Sequence, residues 1–486
     1  MTKRSLKNIS SAVATFVVGM LLLASCNDFL YVEPTDTISV NSYEDVRRLL
    51  AGNLYNYSND RDYLQGAPNT FLASNEMLVD MYYSDDLDVN TYMDNNFAAN
   101  YRGEFTSSID WKNPTMHETL WSLYFRSIGF YNIVLDELAK HPGATQAETE
   151  QVAGEARVLR AMCFFRLMQY FSPYNNNALG LPINTDPNRV SDYDQSRRTQ
   201  ADNYAFIISE LETALAYTTT PSPTYNIFYN KTFINGLLAQ VYLYKGGSGA
   251  KADDDYSKAA TYAQAVLDAG INSDEYMTGP ASTDEWGVIR NKQYAPLVFL
   301  YAETQRFPAL VGDPFMGQFV LASETLYSMY SDADKRKTEY FSSDRRFLKY
   351  GVPFRASFAQ FKLCTGAEMR LIVAEANARQ GNTTAAKAAL KTFATPHYTA
   401  WTEPSDNDLL QTILDERRKE FCFEPYMRWL DLTRLQTGFT RSALDVNDNT
   451  KTVTIADNDY RFCMPLPKMG ELKENNIEQN PGWGNF

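Results

Sequence analysis

The pattern of apolar positions along the chain predicts a mainly helical protein. Apolar side chains recur every three or four residues, which places them on one face of an α-helix. The first helix is predicted to begin at Ser42, because a serine with an acidic residue three positions later, here Asp45, is typical of a helix cap. The same periodicity predicts further helices over residues 119–138, 149–171, 201–217, 231–245, 255–269, 368–379 and 384–393.

Two pairs of these helices have the features of stacked helical repeats. Residues 231–245 and 255–269 are joined by a glycine-rich turn at 246–249, and alanines recur along the second helix. Small side chains let two antiparallel helices approach closely, as in a tetratricopeptide helix pair. Residues 368–379 and 384–393 form a second such pair. Because repeats of this kind bury their apolar faces only against neighbours, we expect the pairs to stack into one scaffold.

Two long segments lack this periodicity. Residues 80–115 and 271–360 are rich in polar and aromatic side chains and only weakly periodic. Long segments of this kind within a compact protein are usually functional loops or a second subdomain. Short extended stretches are predicted at residues 296–301 and 450–464.

The first 26 residues have the composition of an export signal. A basic start is followed by a short apolar run at 12–23, and Cys26 follows Ala24 and Ser25. The apolar run is shorter than a bilayer-spanning helix requires. The cysteine and its preceding small residues resemble the bacterial lipobox, which implies cleavage before Cys26 and stable anchoring through acyl chains on its thiol and new amine. The alternative is an ordinary secretory signal in which Cys26 is incidental.

Composition narrows the possible functions. The formal net charge is −14, which argues against nucleic-acid binding because that function needs a basic surface. Beyond Cys26, four cysteines remain without CxxC spacing, so neither a zinc site nor a redox motif is predicted. Cys163 and Cys422 lie in apolar helical runs and are expected to be buried. Disulfides are permitted in an exported protein, but nothing in the sequence requires them.

Nucleophilic catalysis has little support in the sequence. The three histidines, His117, His141 and His397, have no recognisable triad context. We therefore expect a protein without enzymatic activity, without a cofactor and without a metal.

An acidic segment offers two further interpretations that the sequence does not sustain. Asp85, Asp86 and Asp88 have the residue type that a glycosidase needs, but sequence does not place carboxylates across a cleft. The Asp86–Asp88 spacing also hints at a calcium loop, yet Thr91 and Phe97 replace the glycine and the final glutamate of an EF-hand. The segment is therefore interpreted as a solvated acidic loop.

The C-terminal region carries the most specific motif. Residues 414–421 are Leu-Asp-Glu-Arg-Arg-Lys-Glu-Phe, and residues 424–434 are Glu-Pro-Tyr-Met-Arg-Trp-Leu-Asp-Leu-Thr-Arg. This run resembles the hallmark of SusD/RagB proteins, roughly ERR-x-E-x-x-x-E-G-x-R-W-x-D-L-x-R. Pro425 stands where that pattern has glycine, and one extra residue separates it from Arg428. Segments that resemble other parts of the family follow in the same order, at residues 26–30, 155–161 with 181–182, 369–376 with 379–381, and 465–483.

The resemblance implies a mainly α fold with a tetratricopeptide-like helical scaffold and a few short strands. Four helix pairs would form the scaffold, while loops and a small irregular subdomain would build the ligand site. On this basis residues 1–25 are assigned to a signal peptide, 26–40 to a lipidated tether and 41–486 to one SusD-like domain. The scaffold is placed at about 41–80, 116–270 and 361–440, and the ligand-binding regions at about 81–115 and 271–360.

The resemblance also implies a function. SusD-like proteins are anchored by lipid to the outer membrane, facing the extracellular side, and cover a SusC-like TonB-dependent transporter as a hinged lid. The expected role is non-catalytic capture of a glycan and its delivery to that transporter. Capture of a peptide or glycoprotein, as in RagB-like proteins, is the alternative within the family. A surface adhesin or assembly scaffold is the alternative outside it.

The charged residues of the hallmark have two possible roles. Glu416, Glu420 and Glu424 are spaced to line one helix face, and Arg417 and Arg428 have the geometry to pair with carboxylates through two hydrogen bonds each. Catalysis is one role. Ion pairing that locks the last helices onto the scaffold is the favoured one, because the resemblance implies a motif shared by proteins with different ligands.

Aromatic and polar residues in the two weakly periodic regions are the candidate ligand contacts. Sugar rings present C–H faces that stack on aromatic planes, while sugar hydroxyls bond to amides and guanidinium groups. The candidates are Tyr82, Tyr83, Tyr92, Asn96, Tyr101, Arg102, Trp111, Trp286, Tyr294, Phe307 and Phe315. Loop packing is the alternative role for any one ring, but we expect at least one or two of them to contact ligand.

Overall fold

A computed structural model describes residues 40–58, 83–88, 114–187, 196–222, 226–271, 298–302, 321–347, 359–424, 426–444, 450–467 and 477–484. Helices dominate this part of the chain. They are α1 (Tyr43–Ser58), α2 (Pro114–Lys140), α3 (Gln146–Phe171), α4 (Gln200–Ala216), α5 (Lys231–Lys245), α6 (Asp255–Asp268), α7 (Glu324–Ser328), α8 (Arg336–Glu339), α9 (Gly366–Arg379), α10 (Thr383–Ala394), α11 (Leu409–Glu420) and α12 (Arg428–Leu435). The predicted helices are all present, and their ends fall within a few residues of the predicted ones.

Side-chain caps explain where several helices begin. Ser42 Oγ accepts a hydrogen bond from the Asp45 amide at 3.2 Å, as the sequence predicts for α1. Thr145 caps α3 through a reciprocal box with Glu148. Such caps satisfy amides that have no partner inside the first helical turn, which fixes the start of the helix.

The long helices stack in sequence order. Each of α2 to α6 packs against the next, and α6 then packs against α9, which packs against α10. Close approach depends on small residues: a Cβ added at Gly246 would lie 2.9 Å from the Tyr256 ring, and Ala259 and Ala263 are fully buried. The predicted repeat-like pairs, α5–α6 and α9–α10, are therefore both present.

Helix α9 lies between two hydrophobic cores. Its Met369 and Ile372 side chains belong to the large core formed with α1 to α6. Its Leu371 and Ala374 side chains belong to a smaller core formed with α10 and α11. No helix within the described residues is both long and apolar enough to cross a bilayer.

The second half of helix α3 is buried on all sides. Every residue from Val158 to Phe171 is buried, including Arg160 and Arg166. The charge of Arg160 is paired with Glu210 of α4, and the Arg160 Nε lies 2.9 Å from the Glu210 Oε2. A helix with this environment sits at the centre of a helical fold rather than on its surface.

A buried carboxylate of α3 holds the segment that precedes α5. The Glu155 carboxylate accepts hydrogen bonds from the amides of Ile227, Phe228 and Tyr229 and from the Asn226 side chain, at 2.7–3.2 Å. Burial raises the pKa of Glu155 to about 6, although these donors act in the opposite direction. The contact fixes how the third and fifth helices meet.

Two antiparallel strand pairs complete the described fold. Strand β1 (Val298–Ala302), where a strand is predicted, pairs with β2 (Ala359–Lys362). Strands β3 (Phe439–Leu444) and β4 (Thr450–Ile455) form a hairpin. The extended stretch predicted to reach residue 464 is shorter than expected. It ends at Ile455, and residues Tyr460–Phe462 form a 3-10 turn because the Asp459 side chain caps the Arg461 amide.

The four cysteines among the described residues are buried and carry thiols rather than disulfides. Cys163 lies on α3 as predicted, whereas Cys422 lies in the turn after α11 rather than within a helix. Burial raises the pKa of the Cys463 thiol to about 12 and that of Cys364 well above its usual value. These side chains therefore behave as small apolar residues, and none forms a disulfide.

Candidate functional site

The acidic residues of the hallmark surround a buried arginine. Arg336 of α8 is fully buried, and its guanidinium lies 2.8 Å from Asp334, 2.5 Å from Glu416 and 3.3 Å from Glu420. Lys419 completes the cluster through a hydrogen bond with Glu416. The cluster joins the segment around α8 to helix α11, because a buried charge of either sign needs a partner.

The arginines of the hallmark bind α11 and α12 to α9. Arg417 Nε lies 2.8 Å from Asp431 Oδ2, and Arg417 Nη2 lies 3.2 Å from Glu368 Oε1. Arg434 donates two hydrogen bonds to Glu375, at 2.5 and 2.9 Å. Ion pairing that locks the last helices onto the scaffold, predicted from the sequence, is confirmed.

The observed geometry of the hallmark differs from the predicted one in two details. Glu424 does not continue the helix face of Glu416 and Glu420, because α11 ends at Glu420; it is nevertheless buried. On either side of Glu424, Phe423 and Tyr426 both adopt left-handed backbone conformations, with φ of 60° and 64°. Glycine ordinarily fills such positions. The turn therefore keeps a glycine-like conformation at Tyr426, whose ring lies 3.9 Å from the Arg166 guanidinium.

The segment interpreted as a solvated acidic loop is in fact bound by arginines. Arg428 Nε and Nη2 donate to the two carboxylate oxygens of Asp85 at 2.7 and 2.9 Å. Arg418 Nε donates to Asp86 at 2.8 Å, and Asp86 is only 1% exposed. The solvated-loop prediction is wrong for Asp85 and Asp86, because Arg428 and Arg418 bind their carboxylates.

Burial and the two arginines act in opposite directions on these carboxyl groups. For Asp85, burial raises the pKa, but Arg428 and Arg418 prevail and hold it well below its usual range. For Asp86, burial raises the pKa and outweighs the same arginines. Asp85 is therefore the charged partner of Arg428 at neutral pH.

The same segment meets the residues that precede α7. The Asp88 amide donates to the Leu321 carbonyl at 2.8 Å, and the Ser323 amide donates to the Asp86 carbonyl at 2.7 Å. Leu87 and Ala322 form an antiparallel bridge between them. We call residues 83–88 and 321–323 the loop junction. Residues 83–88 belong to the first weakly periodic region and residues 321–323 to the second, so the junction brings one part of each region together.

One arginine holds both sides of the loop junction. Arg345 Nη2 lies 3.0 Å from Asp88 Oδ2, and Arg345 Nη1 donates to the Ala322 carbonyl at 2.9 Å. The Ala322 amide donates in return to the Arg345 carbonyl at 2.9 Å. Arg345 adopts a left-handed conformation with φ of 67°, a strained state for a residue with a Cβ.

Tyr83 is the one predicted ligand contact within the described residues. Its side chain is 4% exposed, and its ring centre lies 5.8 Å from that of Trp429. This placement gives Tyr83 a packing role at the base of the loop junction. The lipidation site Cys26 and the other predicted contacts lie outside the described residues and stay predictions: Tyr82, Tyr92, Asn96, Tyr101, Arg102, Trp111, Trp286, Tyr294, Phe307 and Phe315.

Sequence reasoning missed the residues that organise this site. Arg336 and Arg345 lie in a weakly periodic region, where no motif marks them. The sequence did contain a signal for the ion pairs of the hallmark arginines with the acidic segment. Arg418 and Arg428 are charged residues in a helical region that buries one face, and a buried arginine requires an acidic partner elsewhere. The adjacent acids Asp85 and Asp86 match that requirement.

Two family models match the chain. One, described as starch-binding and associating with the outer membrane, matches residues 39–243; the other, the SusD family, matches residues 359–483. The chain belongs to the SusD/RagB family. Family membership indicates carbohydrate binding and association with the outer membrane as the general role. No curated protein matches the sequence.

Solved structures of SusD-like proteins share the fold over most of the chain. A SusD-like carbohydrate-binding protein from Bacteroides vulgatus is 20% identical with a TM-score of 0.63, over 90% of this chain and 97% of that one. A SusD superfamily protein from Bacteroides thetaiotaomicron is 19% identical with a TM-score of 0.64, over 91% and 100%. The predicted fold class, mainly α on a tetratricopeptide-like scaffold, is confirmed.

Proposed function

We propose that the chain is a cell-surface lipoprotein that binds a glycan and delivers it to a SusC-like TonB-dependent transporter, without catalysing a reaction. The observation that carries the proposal is the loop junction. It joins residues 83–88 to residues 321–323, one segment from each region predicted to contact ligand, and Arg418 and Arg428 hold the first of these segments on the scaffold. A site made from two segments needs such a fixed base, because contacts on a rigid frame lose less entropy on binding.

The chemistry of the two regions supports a glycan as the ligand. Their candidate rings and amides are the groups that stack on sugar faces and bond to sugar hydroxyls. Two of the three acids considered for glycosidase chemistry, Asp85 and Asp86, are held by arginines at the base of the site. This arrangement supports binding rather than hydrolysis, which needs two carboxylates facing the substrate.

Anchoring at the outer membrane through Cys26 completes the proposal. The lipobox-like sequence before Cys26 and the outer-membrane association of the family support it. Growth of an expressing bacterium with labelled palmitate should label the unmodified protein. A Cys26→Ala variant should stay unlabelled and leave the membrane fraction, whereas labelling of that variant would contradict the assignment.

A binding assay tests the function. The chain from Asn27 onward should be retarded in native gels that contain one of a panel of polysaccharides, namely soluble starch, β-glucan, xylan, mannan and pectin. If either ring stacks on the sugar, replacing Trp111 or Trp286 with alanine should weaken the binding free energy by about 1–3 kcal/mol and so reduce retention. Tyr460→Ala, which removes an exposed ring outside both regions, is the matched control.

The outcome separates glycan capture from its alternative. Retention by a polysaccharide that Trp111→Ala or Trp286→Ala weakens, and Tyr460→Ala does not, supports the proposal. Absence of retention by every polysaccharide, together with binding to a peptide library, would replace the glycan by a peptide.

A further inference from the structure

We infer that the protein binds a structural water molecule in a small cavity at the hallmark, through the side chains of Gln169, Gln240 and Arg417. These residues belong to α3, α5 and α11, so the water links two helices of the scaffold to the hallmark. None of the described residues that line the cavity belongs to the regions predicted to contact ligand. The water site is therefore independent of the proposed glycan-binding function.

The cavity lies where five helices meet. Side chains of α3, α5, α9, α11 and α12 line it, together with residues of the turn between α11 and α12. Its volume is about 30 Å³, whereas about 10–15 Å³ is enough for one water molecule. Pockets for organic ligands usually measure about 300–1,000 Å³. This cavity therefore admits water but not a sugar.

Two glutamines on the cavity wall each keep one amide group that the described residues do not engage. Gln169 is 5% exposed, and its Oε1 accepts a hydrogen bond from Arg166 Nη1 at 2.7 Å. Its NH₂ group is then the part of the side chain that is still able to donate. Gln240 Nε2 donates to the Leu363 carbonyl at 2.7 Å and to Glu368 Oε2 at 2.8 Å. Both N–H groups of Gln240 are thereby used, and its Oε1 is left to accept.

Arg417 adds a charged donor to the same wall. Its Nε lies 2.8 Å from Asp431 Oδ2, and its Nη2 lies 3.2 Å from Glu368 Oε1. Its Nη1 has no hydrogen-bond partner among the described residues, although the side chain is only 7% exposed. A buried donor without an acceptor is unfavourable, and more so on a charged group. A water molecule that accepts from Nη1 removes this penalty and donates its own hydrogens to acceptors such as the Gln240 Oε1.

The charges around the cavity favour water over an ion. Glu368 and Asp431 line the cavity, so a chloride ion would meet two carboxylates, whose pairing with Arg417 already offsets the guanidinium charge. A metal cation would meet the guanidinium groups of Arg417 and Arg434. Water carries no net charge and both donates and accepts, so it suits a wall that combines donors with acceptors.

A crystal structure of the chain from Asn27 onward tests the water site directly. At a resolution that shows ordered solvent, a water should lie within about 3.2 Å of at least two of three atoms, namely Gln169 Nε2, Gln240 Oε1 and Arg417 Nη1. A second crystal soaked in sodium bromide should show no anomalous peak at this position, because bromide replaces a bound chloride but not a water with these partners.

A pair of variants at one position tests the site in solution. Leu243 lines the cavity, and Leu243→Phe fills part of it without removing a polar partner of the water. Leu243→Met keeps the side-chain volume nearly unchanged and is the matched control. Oxygen-17 relaxation dispersion, which counts long-lived internal waters, should find at least one fewer in Leu243→Phe than in Leu243→Met or in the unmodified chain.

Three results would overturn the inference. The first is a crystal structure with ordered cavity walls and no solvent density between them. The second is an anomalous bromide peak, which would assign the site to an anion. The third is an equal count of long-lived waters in Leu243→Phe and Leu243→Met. The crystallographic test uses the unmodified chain, so it holds even if Leu243→Phe does not fold, and it holds whether or not the chain binds a polysaccharide.

Discussion

Arg428 and Asp85 form a bidentate ion pair between residues that lie 343 positions apart, with N–O distances of 2.7 and 2.9 Å. The pair places the start of the first loop region directly on the most specific motif of the sequence. A side chain that a catalytic role would keep available is used here to hold two distant parts of the chain together. The hallmark therefore attaches residues 85 and 86, as well as the last helices, to the scaffold.

Breaking this pair should destabilise the protein strongly. Asp85→Asn leaves the Arg428 guanidinium buried without its charge partner, and the expected loss in unfolding free energy is about 3–5 kcal/mol, measured by urea denaturation. The double variant Asp85→Leu with Arg428→Met removes both charges and should be less destabilised than the single one. Lys258→Met, which breaks an exposed pair with Asp254, is the control and should change stability far less. Equal losses for Asp85→Asn and Lys258→Met would contradict the prediction.

The ion pairs of α9 predict a fall in stability on acidification. Burial raises the pKa of Glu375, but Arg434 and Arg379 outweigh it and lower the pKa to about 2 from a usual value of 4.5. The ionised form is thus favoured in the folded state. Its stabilising contribution, about 3 kcal/mol, is complete above the usual pKa and is lost as the pH falls from 4.5 towards 2.

A variant isolates this effect. Glu375→Gln lacks the titrating group, so the difference in unfolding free energy between it and the unmodified chain should shrink as the pH is lowered from 7 to 3. Urea denaturation at pH 7, 5, 4 and 3 measures it. A difference that stays constant over this range would show that Glu375 does not titrate as stated.

Replacing the Glu155 carboxylate with an amide should destabilise the fold. Both of its oxygens accept backbone N–H groups, and Glu155→Gln would set an NH₂ group against these donors. The expected loss is about 2–3 kcal/mol at pH 7.5, where the carboxylate is charged. Glu212→Gln, at an exposed position of α4, is the matched control. Thermal unfolding followed by circular dichroism gives the comparison, and equal melting temperatures for the two variants would contradict it.

The buried thiols should be inert in the folded protein. Because burial raises the pKa of Cys364 and Cys463 and all four thiols are inaccessible, a disulfide-exchange reagent should react with none of them in the native chain from Asn27 onward. It should react with four after unfolding in guanidinium, with or without prior reduction. Rapid reaction of the native protein, or fewer than four thiols without reductant, would show that the cysteines are exposed or paired.

Local features of this protein were predictable from the sequence, and long-range ones were not. Helices such as α5, predicted and observed over residues 231–245, follow from periodicity and capping, which act within a few residues. The partner of Arg418 lies 332 positions away, and no periodicity carries that information. Asp86 was misinterpreted for this reason: judged by its neighbours in sequence it belongs in water, whereas its neighbours in space are arginines.

In the candidate site too, features marked by short motifs were predictable and features that depend on distant residues were not. The hallmark is recognisable from a short motif, and the ion-pairing role of Arg417 follows from the charges around it, whereas the lipidation of Cys26 stays a prediction. Arg336 and Arg345 had no such signal, because each acts through one side chain in an irregular segment. The left-handed conformation of Arg345 was equally invisible, since arginine gives no sequence sign of positive φ, unlike glycine or asparagine.

The pairing of Asp85 with Arg428 also ties folding to the completion of synthesis. Asp85 is synthesised 343 residues before Arg428, so it lacks this partner until most of the chain has been made. A truncated chain that ends before α12 keeps Arg418 but lacks the guanidinium that binds both oxygens of Asp85. Such a fragment is left with a buried carboxylate that is only partly paired, which favours its unfolding and degradation. Only a chain that extends through α12 can therefore form the bidentate pair between Asp85 and Arg428.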